Sequence, residues 1–330
     1  MIIRIILLFV LMLAMQVNSK SCSSNLIDWG NYSATLSSLR SHYYDEDFIA
    51  VDRAIDCLVN SGETFSSGKQ GAAAVYWFYR KEMPSPGSNE EDILRINKWN
   101  DAIKNSPYAS FASLRLMYSQ AWNERGNRYV IKTPQEKLKN FRKKLLLTES
   151  AILSRENPLK ESAISYNLLL AVTLDTYGTK SLPIDIFNKG VESWPNYYDF
   201  YDVFLSRLTP KWGGSWQKVE DFISHWDIKL EERENRSLYS RLYYTVHKSN
   251  RVNPLKTKAD WKRLKSSLTA LYTQYPTKKH IEIATSYACY YSDYEFYNSL
   301  LSQKNVSFSK AWLRGTSIEK CNAYFSSQLS

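Results

Sequence analysis

Apolar side chains recur at three- and four-residue spacing through most of this chain, which restricts it to helices that each bury one face. Leu138, Phe141, Leu145 and Ile152 form one stripe, with Lys137, Lys139, Arg142 and Lys143 beside it. Tyr201, Phe204, Leu205 and Leu208 form a second, and Trp261, Leu264, Leu268, Leu271 and Tyr275 a third. Turn-forming residues are scarce, with 11 Gly and 10 Pro in 330 residues, which favours long helices over turn-dense sheets. Hydrophobic residues at 44% and charged residues at 23% supply enough apolar surface for the chain to fold.

The breakers sit where helices should end. Asn157-Pro158, Trp194-Pro195 and Tyr275-Pro276 each close an amphipathic segment, because proline cannot continue a helix and restricts the residue before it. Ala121 to Gly126 reads as a helix ending at a turn glycine, and Thr133-Pro134-Gln135-Glu136 as the start of the next. Proline spacings of 37 and 81 residues match roughly one and two helix-hairpin repeats. The expectation is an all-α chain, an antiparallel helix-hairpin array of tetratricopeptide-like α-solenoid type, in which each hairpin covers the apolar face of its neighbour.

Met1 to Ser19 has the layout of a secretory leader: Arg4, an apolar run from Ile5 to Ala14, then Val17-Asn18-Ser19. The run is shorter than the ~20 residues a spanning helix needs, so cleavage near Ser19 is expected over a retained anchor. Ser19-Lys20-Ser21 before Cys22 does not suit lipid attachment. The expected product is exported, periplasmic or secreted, without a membrane span after cleavage, and able to associate peripherally with the envelope. Beyond the leader, 20–89 reads as an irregular helical region, 90–228 as the repeat core and 229–330 as a helical extension, with Pro84 to Asn89 as a loop or linker. In an oxidising compartment, Cys22, Cys57, Cys289 and Cys321 allow three pairings. Cys22 with Cys57 and Cys289 with Cys321 is preferred because each closes a local loop, and a buried thiol at Cys289 is the alternative.

The motif Leu208-Thr209-Pro210-Lys211-Trp212-Gly213-Gly214-Ser215 resembles the bacterial family called domain of unknown function 4034. Trp99, Ala121 to Gly126, Asn157-Pro158 and the run Trp194-Pro195-Asn196-Tyr197-Tyr198 before Tyr201 follow in the family's order, so the likeness covers about 92–226. Asp260-Trp261, Tyr275-Pro276, Ala288-Cys289 with Asp293, and Ala311-Trp312 resemble its C-terminal extension. Thr209 and Lys211 depart from the commoner Leu or Pro and Arg. The resemblance implies a tetratricopeptide-like fold and no assigned activity. Read physically, Gly213 and Gly214 permit a tight inter-helix turn that pins Trp212, and Ser215 caps a helix starting at Trp216.

No catalytic constellation emerges. Gly62 to Lys69 fails as a phosphate loop, since five residues separate Gly62 from Gly68 and Gln70 stands where Ser or Thr should follow the lysine. Three Ser-x-x-Lys matches, at Ser66, Ser215 and Ser317, lack the companion motifs of acylating enzymes. His42, His225, His247 and His280 belong to no triad or metal motif, and the cysteine spacing disfavours zinc. Glu90-Glu91-Asp92 and Glu231-Glu232 read as solvated charges. Neither a metal nor a cofactor is expected.

A net charge of +10 favours anionic partners, but the basic residues interleave with acids, and export makes nucleic acid a poor fit. The cluster Lys256, Lys258, Lys262, Arg263 and Lys265 reads as the solvated face of the helix carrying Trp261. Trp194, Tyr197, Tyr198, Trp212, Gly213, Gly214, Ser215 and Trp216 form the candidate binding surface, and helix-seam packing is the competing reading for its aromatics, as for Tyr287, Tyr290, Tyr291, Tyr294 and Tyr297. The resulting expectation is a non-enzymatic envelope scaffold or immunity-type protein that binds another protein. The alternative is a cell-wall glycan binder or weak hydrolase using the aromatics and a carboxylate such as Asp199 or Asp202.

Overall fold

A computed structural model describes residues 24–83, 89–230, 236–303 and 311–329. The leader expected over 1–19, Cys22, 84–88 of the expected linker and the pair Glu231-Glu232 lie outside the described residues. Fifteen α-helices carry the described chain: α1 (Tyr32–Tyr44), α2 (Phe48–Asn60), α3 (Gly71–Trp77, running into a π-helical turn Phe78–Glu82), α4 (Asn89–Ala102), α5 (Pro107–Arg125), α6 (Gln135–Leu153), α7 (Ala163–Tyr177), α8 (Ser181–Ser193), α9 (Asp199–Leu208), α10 (Trp216–Lys229), α11 (Leu238–Asn250), α12 (Trp261–Gln274), α13 (Lys278–Tyr290), α14 (Tyr294–Leu301) and α15 (Ile318–Leu329). Among the described residues there is no β-strand, and one isolated bridge joins Thr64 and Gln70.

The helices begin and end for local reasons. Asn31, Asp47, Ser106, Ser162, Ser215, Asp260, Thr277 and Asp293 each accept a hydrogen bond from a backbone N–H in the first turn they cap. Gly126, at φ 75, ends α5, and Trp194 and Tyr275 close α8 and α12 immediately before Pro195 and Pro276. Between α9 and α10, Gly213 adopts φ 84, and a Cβ on Gly214 would lie 1.9 Å from the Leu208 carbonyl oxygen. Only glycine fits that second position, as the tight-turn reading expects.

Most helices pack on their successors, and several pairs two apart also touch: α1 with α3, α5 with α7, α7 with α9, and α9 with α11. That arrangement is a stacked array of helices, and the stripes read from sequence form its seams. Phe141, Leu145 and Ile152 are buried on α6, Leu264, Leu268 and Leu271 on α12, and Tyr201, Phe204 and Leu205 on α9. Fully burying such a side chain stabilises the fold by about 1.5–3 kcal/mol. In α7, every residue from Ala163 to Leu174 is buried, so it runs through the middle of the protein rather than along its surface. One apolar cluster extends from Leu26 to Phe325.

Indole N–H groups of buried and half-buried tryptophans find carboxylates across helices. Trp99 donates to Asp52 at 3.0 Å, Trp122 to Asp175 at 2.8 Å and Trp261 to Asp293 at 3.0 Å. Cys289 and Cys321 form a disulfide joining α13 to α15, and with 32 residues of separation such a link stabilises a fold by about 3–4 kcal/mol. No described helix is long and apolar enough to cross a membrane.

Candidate functional site

The candidate surface residues fall into two groups at opposite ends of α9, whose ten residues span about 15 Å. At the C-terminal end, Trp212 lies over the Arg207 guanidinium at 4.1 Å and meets Trp122 edge-on at 6.1 Å. It stays 39% exposed, so the turn holds it without covering it. Arg207 forms a buried salt bridge with Asp175, which also accepts from the Tyr118 hydroxyl at 2.6 Å and from Trp122. Ser215 caps α10, accepting from the Lys218 N–H at 3.1 Å, and Trp216 is half-buried.

At the N-terminal end, Tyr197 is fully buried, Trp194 packs on Tyr166 at 5.3 Å, and Tyr198 lies 4.8 Å beneath the Arg241 guanidinium. Trp194 also lines an open cleft of ≈ 350 Å³ together with Glu63, Gln70 and Glu161.

Most other aromatic, basic and histidine positions singled out in the sequence are spent on packing. Tyr291 stacks on Trp261 at 4.6 Å, Tyr287 bonds His247 at 2.6 Å, and Tyr297 donates to Asn322 at 2.8 Å. Lys265 pairs with Asp293 and Arg263 with Asp227, each at 2.8 Å, while Lys256, Lys258 and Lys262 face solvent. Burial pushes His247 down to about 3 and His280 to about 4, so both are neutral framework groups at neutral pH.

The N-terminal end of α9 differs in being left unsatisfied. Asp199 and Asp202 stand three residues apart, on one side of the helix. Asp199 is 6% exposed, and its Oδ2 has no hydrogen-bond partner; Asp202 Oδ1 is likewise unpartnered. Burial, then the neighbouring Asp202 carboxylate, pushes Asp199 up to about 7. Burial pushes Asp202 up to about 6, opposed by Lys69, a hydrogen bond from Thr245, and Arg80. Behind them, the Tyr197 hydroxyl and both polar atoms of the Asn167 side chain are buried without a hydrogen bond of normal geometry. Burying such groups unpaired costs about 1–3 kcal/mol each, so their presence calls for an explanation beyond stability.

Cations gather on the other side. The loop between α2 and α3 reaches across to α11, where Arg241 donates to the Ser67 carbonyl at 3.4 Å over 174 residues of sequence. That contact places Lys69 in electrostatic range of Asp199, Asp202 and Lys279. Lys69 rests 4.6 Å over the Tyr32 ring, and Arg80 lies 5.4 Å over Trp77. Lys279 is pushed down to about 8 by burial and then by the like charges of Lys69, Lys248 and Arg241. Its side chain remains exposed to solvent. Lys69, Arg241 and Lys279 make no salt bridge among the described residues.

The site therefore has two poles: paired carboxyls that resist ionisation, and converging cations that form no salt bridge among the described residues. The described residues include no cluster of His, Cys, Asp and Glu suited to a metal. Sequence reasoning reached Asp199 and Asp202 only as acids within an aromatic run. It weighed Lys69 only within a failed phosphate loop and did not single out Arg241 or Lys279, which share no local pattern and meet only because the α2–α3 loop packs against α11. Comparison with family models, with curated proteins and with solved structures found no match, so the resemblance drawn above rests on the residues quoted for it.

Proposed function

We propose that this chain is an exported, non-enzymatic binding protein of helical-repeat type that seats an acidic segment of another protein against Lys69, Arg241 and Lys279. The observation that carries this reading is the convergence of those three cations without a salt bridge among the described residues, together with the lowered pKa of Lys279. An incoming carboxylate relieves that repulsion, whereas an empty site retains it. Export is supported by the layout of Met1 to Ser19 and suits the Cys289–Cys321 disulfide.

The aspartates supply a pH dependence. An acidic ligand is repelled by ionised Asp202 and Asp199, so binding should strengthen as pH falls through about 7 to about 6, where both take up protons. At alkaline pH it should weaken again as Lys279, whose pKa lies below the ordinary lysine value, loses its charge. Anisotropy of a labelled oligoglutamate peptide measured from pH 5 to about 9 tests this, with Lys279→Glu as the control. Affinity that ignores both pH and the substitution ends the reading. For the natural partner, envelope protein captured by the wild type should be lost with Lys279→Glu.

A second reading is favoured by one observation: Asp199 holds its proton near neutrality beside a second carboxyl, as the general acid of a glycan hydrolase would. Release of soluble fragments from purified peptidoglycan, abolished by Asp199→Asn, would establish it in place of the binding role.

A further inference from the structure

The turn joining α5 to α6 carries an apolar tip that no part of the fold uses. Tyr129 is 69%, Val130 60% and Ile131 93% exposed, and Ile131 is the most exposed large hydrophobic residue described. These three consecutive side chains are held outward by a built turn. The Thr133 hydroxyl, itself buried, donates to the Tyr129 carbonyl at 3.0 Å, the Lys132 N–H to the same oxygen at 2.8 Å, and the Thr133 N–H to the Val130 carbonyl at 3.0 Å. Beneath them, Arg125 is buried against Trp122 and Phe141, which fixes the base of the turn.

The tip is flanked by positive charge. Arg128 and Lys132 bracket it, Lys137 and Lys139 follow in the first turns of α6, and all four are exposed. Arg142 and Lys143 continue the charge along α6 on the side away from buried Phe141, Leu145 and Ile152. Glu136 is the one acidic residue between Arg125 and Thr148.

We propose that this tip docks the protein on an anionic lipid bilayer, with Tyr129, Val130 and Ile131 entering the interface and the surrounding cations resting on headgroup phosphates. A projecting apolar knob needs a recess. A fluid bilayer deforms around such a knob, whereas a protein partner must offer a matching pocket. Tyrosine, with an apolar ring and a polar tip, suits the headgroup level, and lysine and arginine stems extend along it. Neither element holds alone, since few apolar side chains give weak insertion and charge alone is screened within about 8–10 Å at ordinary salt. The net charge of +10 acts in the same direction.

The test uses the whole chain and sedimentation with vesicles of phosphatidylcholine, with or without about 30% phosphatidylglycerol. Binding is expected only with the anionic lipid, should fall as salt rises, and should weaken at least about tenfold in the Val130→Ser/Ile131→Ser variant, whose substitutions touch no packed surface. Tyr129→Trp provides a reporter at the tip, and its fluorescence should be quenched by brominated acyl chains. The proposal is overturned by absent binding to anionic vesicles, by unchanged binding of the double variant, or by a reporter signal that brominated lipid leaves unquenched. Binding to soluble polyglutamate without vesicle binding would also overturn it, and would assign the patch to an acidic protein.

Discussion

The two ends of α9 solve the same physical problem in opposite ways. At its C-terminal end, buried Asp175 is met by Arg207, Tyr118 and Trp122, so its charge is compensated on three sides. At its N-terminal end, Asp199 and Asp202 are removed from water, yet each keeps an unpartnered oxygen. A satisfied buried charge holds a fold together, and an unsatisfied one costs stability unless something else meets it. The contrast marks the first end as framework and leaves the second with a burial cost that its own contacts do not offset.

Substitutions at the two ends should behave differently, and the largest difference belongs to the framework. Asp175→Ala leaves Arg207 buried without its counter-charge and should cost about 3–5 kcal/mol in urea denaturation. A cost below about 1 kcal/mol would erase the distinction between the two ends.

Asp199→Asn should do the reverse. The folded-state pKa is raised from 3.8 to about 7, so the native carboxyl loses relative stability as pH climbs through that window. The variant should therefore gain nothing near pH 4 and about 1–3 kcal/mol above pH 7, less than the full shift because the new amide also needs partners. Urea midpoints compared across pH decide the matter, and a variant less stable than wild type at pH 8 would contradict the assignment.

A smaller effect sharpens the same contrast through tyrosine hydroxyls. Tyr118→Phe removes a made hydrogen bond to Asp175 and should cost about 1–2 kcal/mol, whereas Tyr197→Phe removes a hydroxyl without a hydrogen bond of normal geometry and should cost less than about 0.5 kcal/mol. Thermal melts of the two variants give the comparison directly. Smallest of all, Lys279→Gln should move stability by no more than about 0.5 kcal/mol while weakening the binding of an acidic peptide. Loss of fold in that variant would show Lys279 to be structural.

Local rules took the reading a long way in some regions and a short way in others. The stripes on α6, α9 and α12, the caps at Ser215 and Asp260, and the breaks before Pro195 and Pro276 are each set by residues within a few positions of one another in the chain, so spacing alone exposes them. The region 20–89 reads as irregularly helical because Gly62, Gly68 and the serines interrupt it, and α1, α2 and α3, which bury Leu39, Tyr43, Val51, Ile55 and Val75, lie between those interruptions. The Cys289–Cys321 link was legible because it is local.

The candidate site was legible only in part, for a reason that can be read from its members. Asp199 and Asp202 are close in sequence, and acids inside a run of Trp, Tyr and Phe already hint at burial. Whether they are compensated depends on Lys69, Arg80 and Thr245, which come from other helices and loops. Trp194 and Trp212 flank one helix in sequence and are separated by the length of α9 in space.

By itself, the sequence determined that this chain is helical, roughly where several helices start and stop, and which faces of α6, α9 and α12 are apolar, because hydrophobic spacing and backbone capping act within one or two turns. Tertiary structure alone decided that Lys69 of the α2–α3 loop lies near Arg241 of α11 and Lys279 of α13, and that the carboxyls of α9 go without the partners Asp175 enjoys. Burial and charge set those outcomes through space, and no spacing along the chain encodes which distant side chains become neighbours.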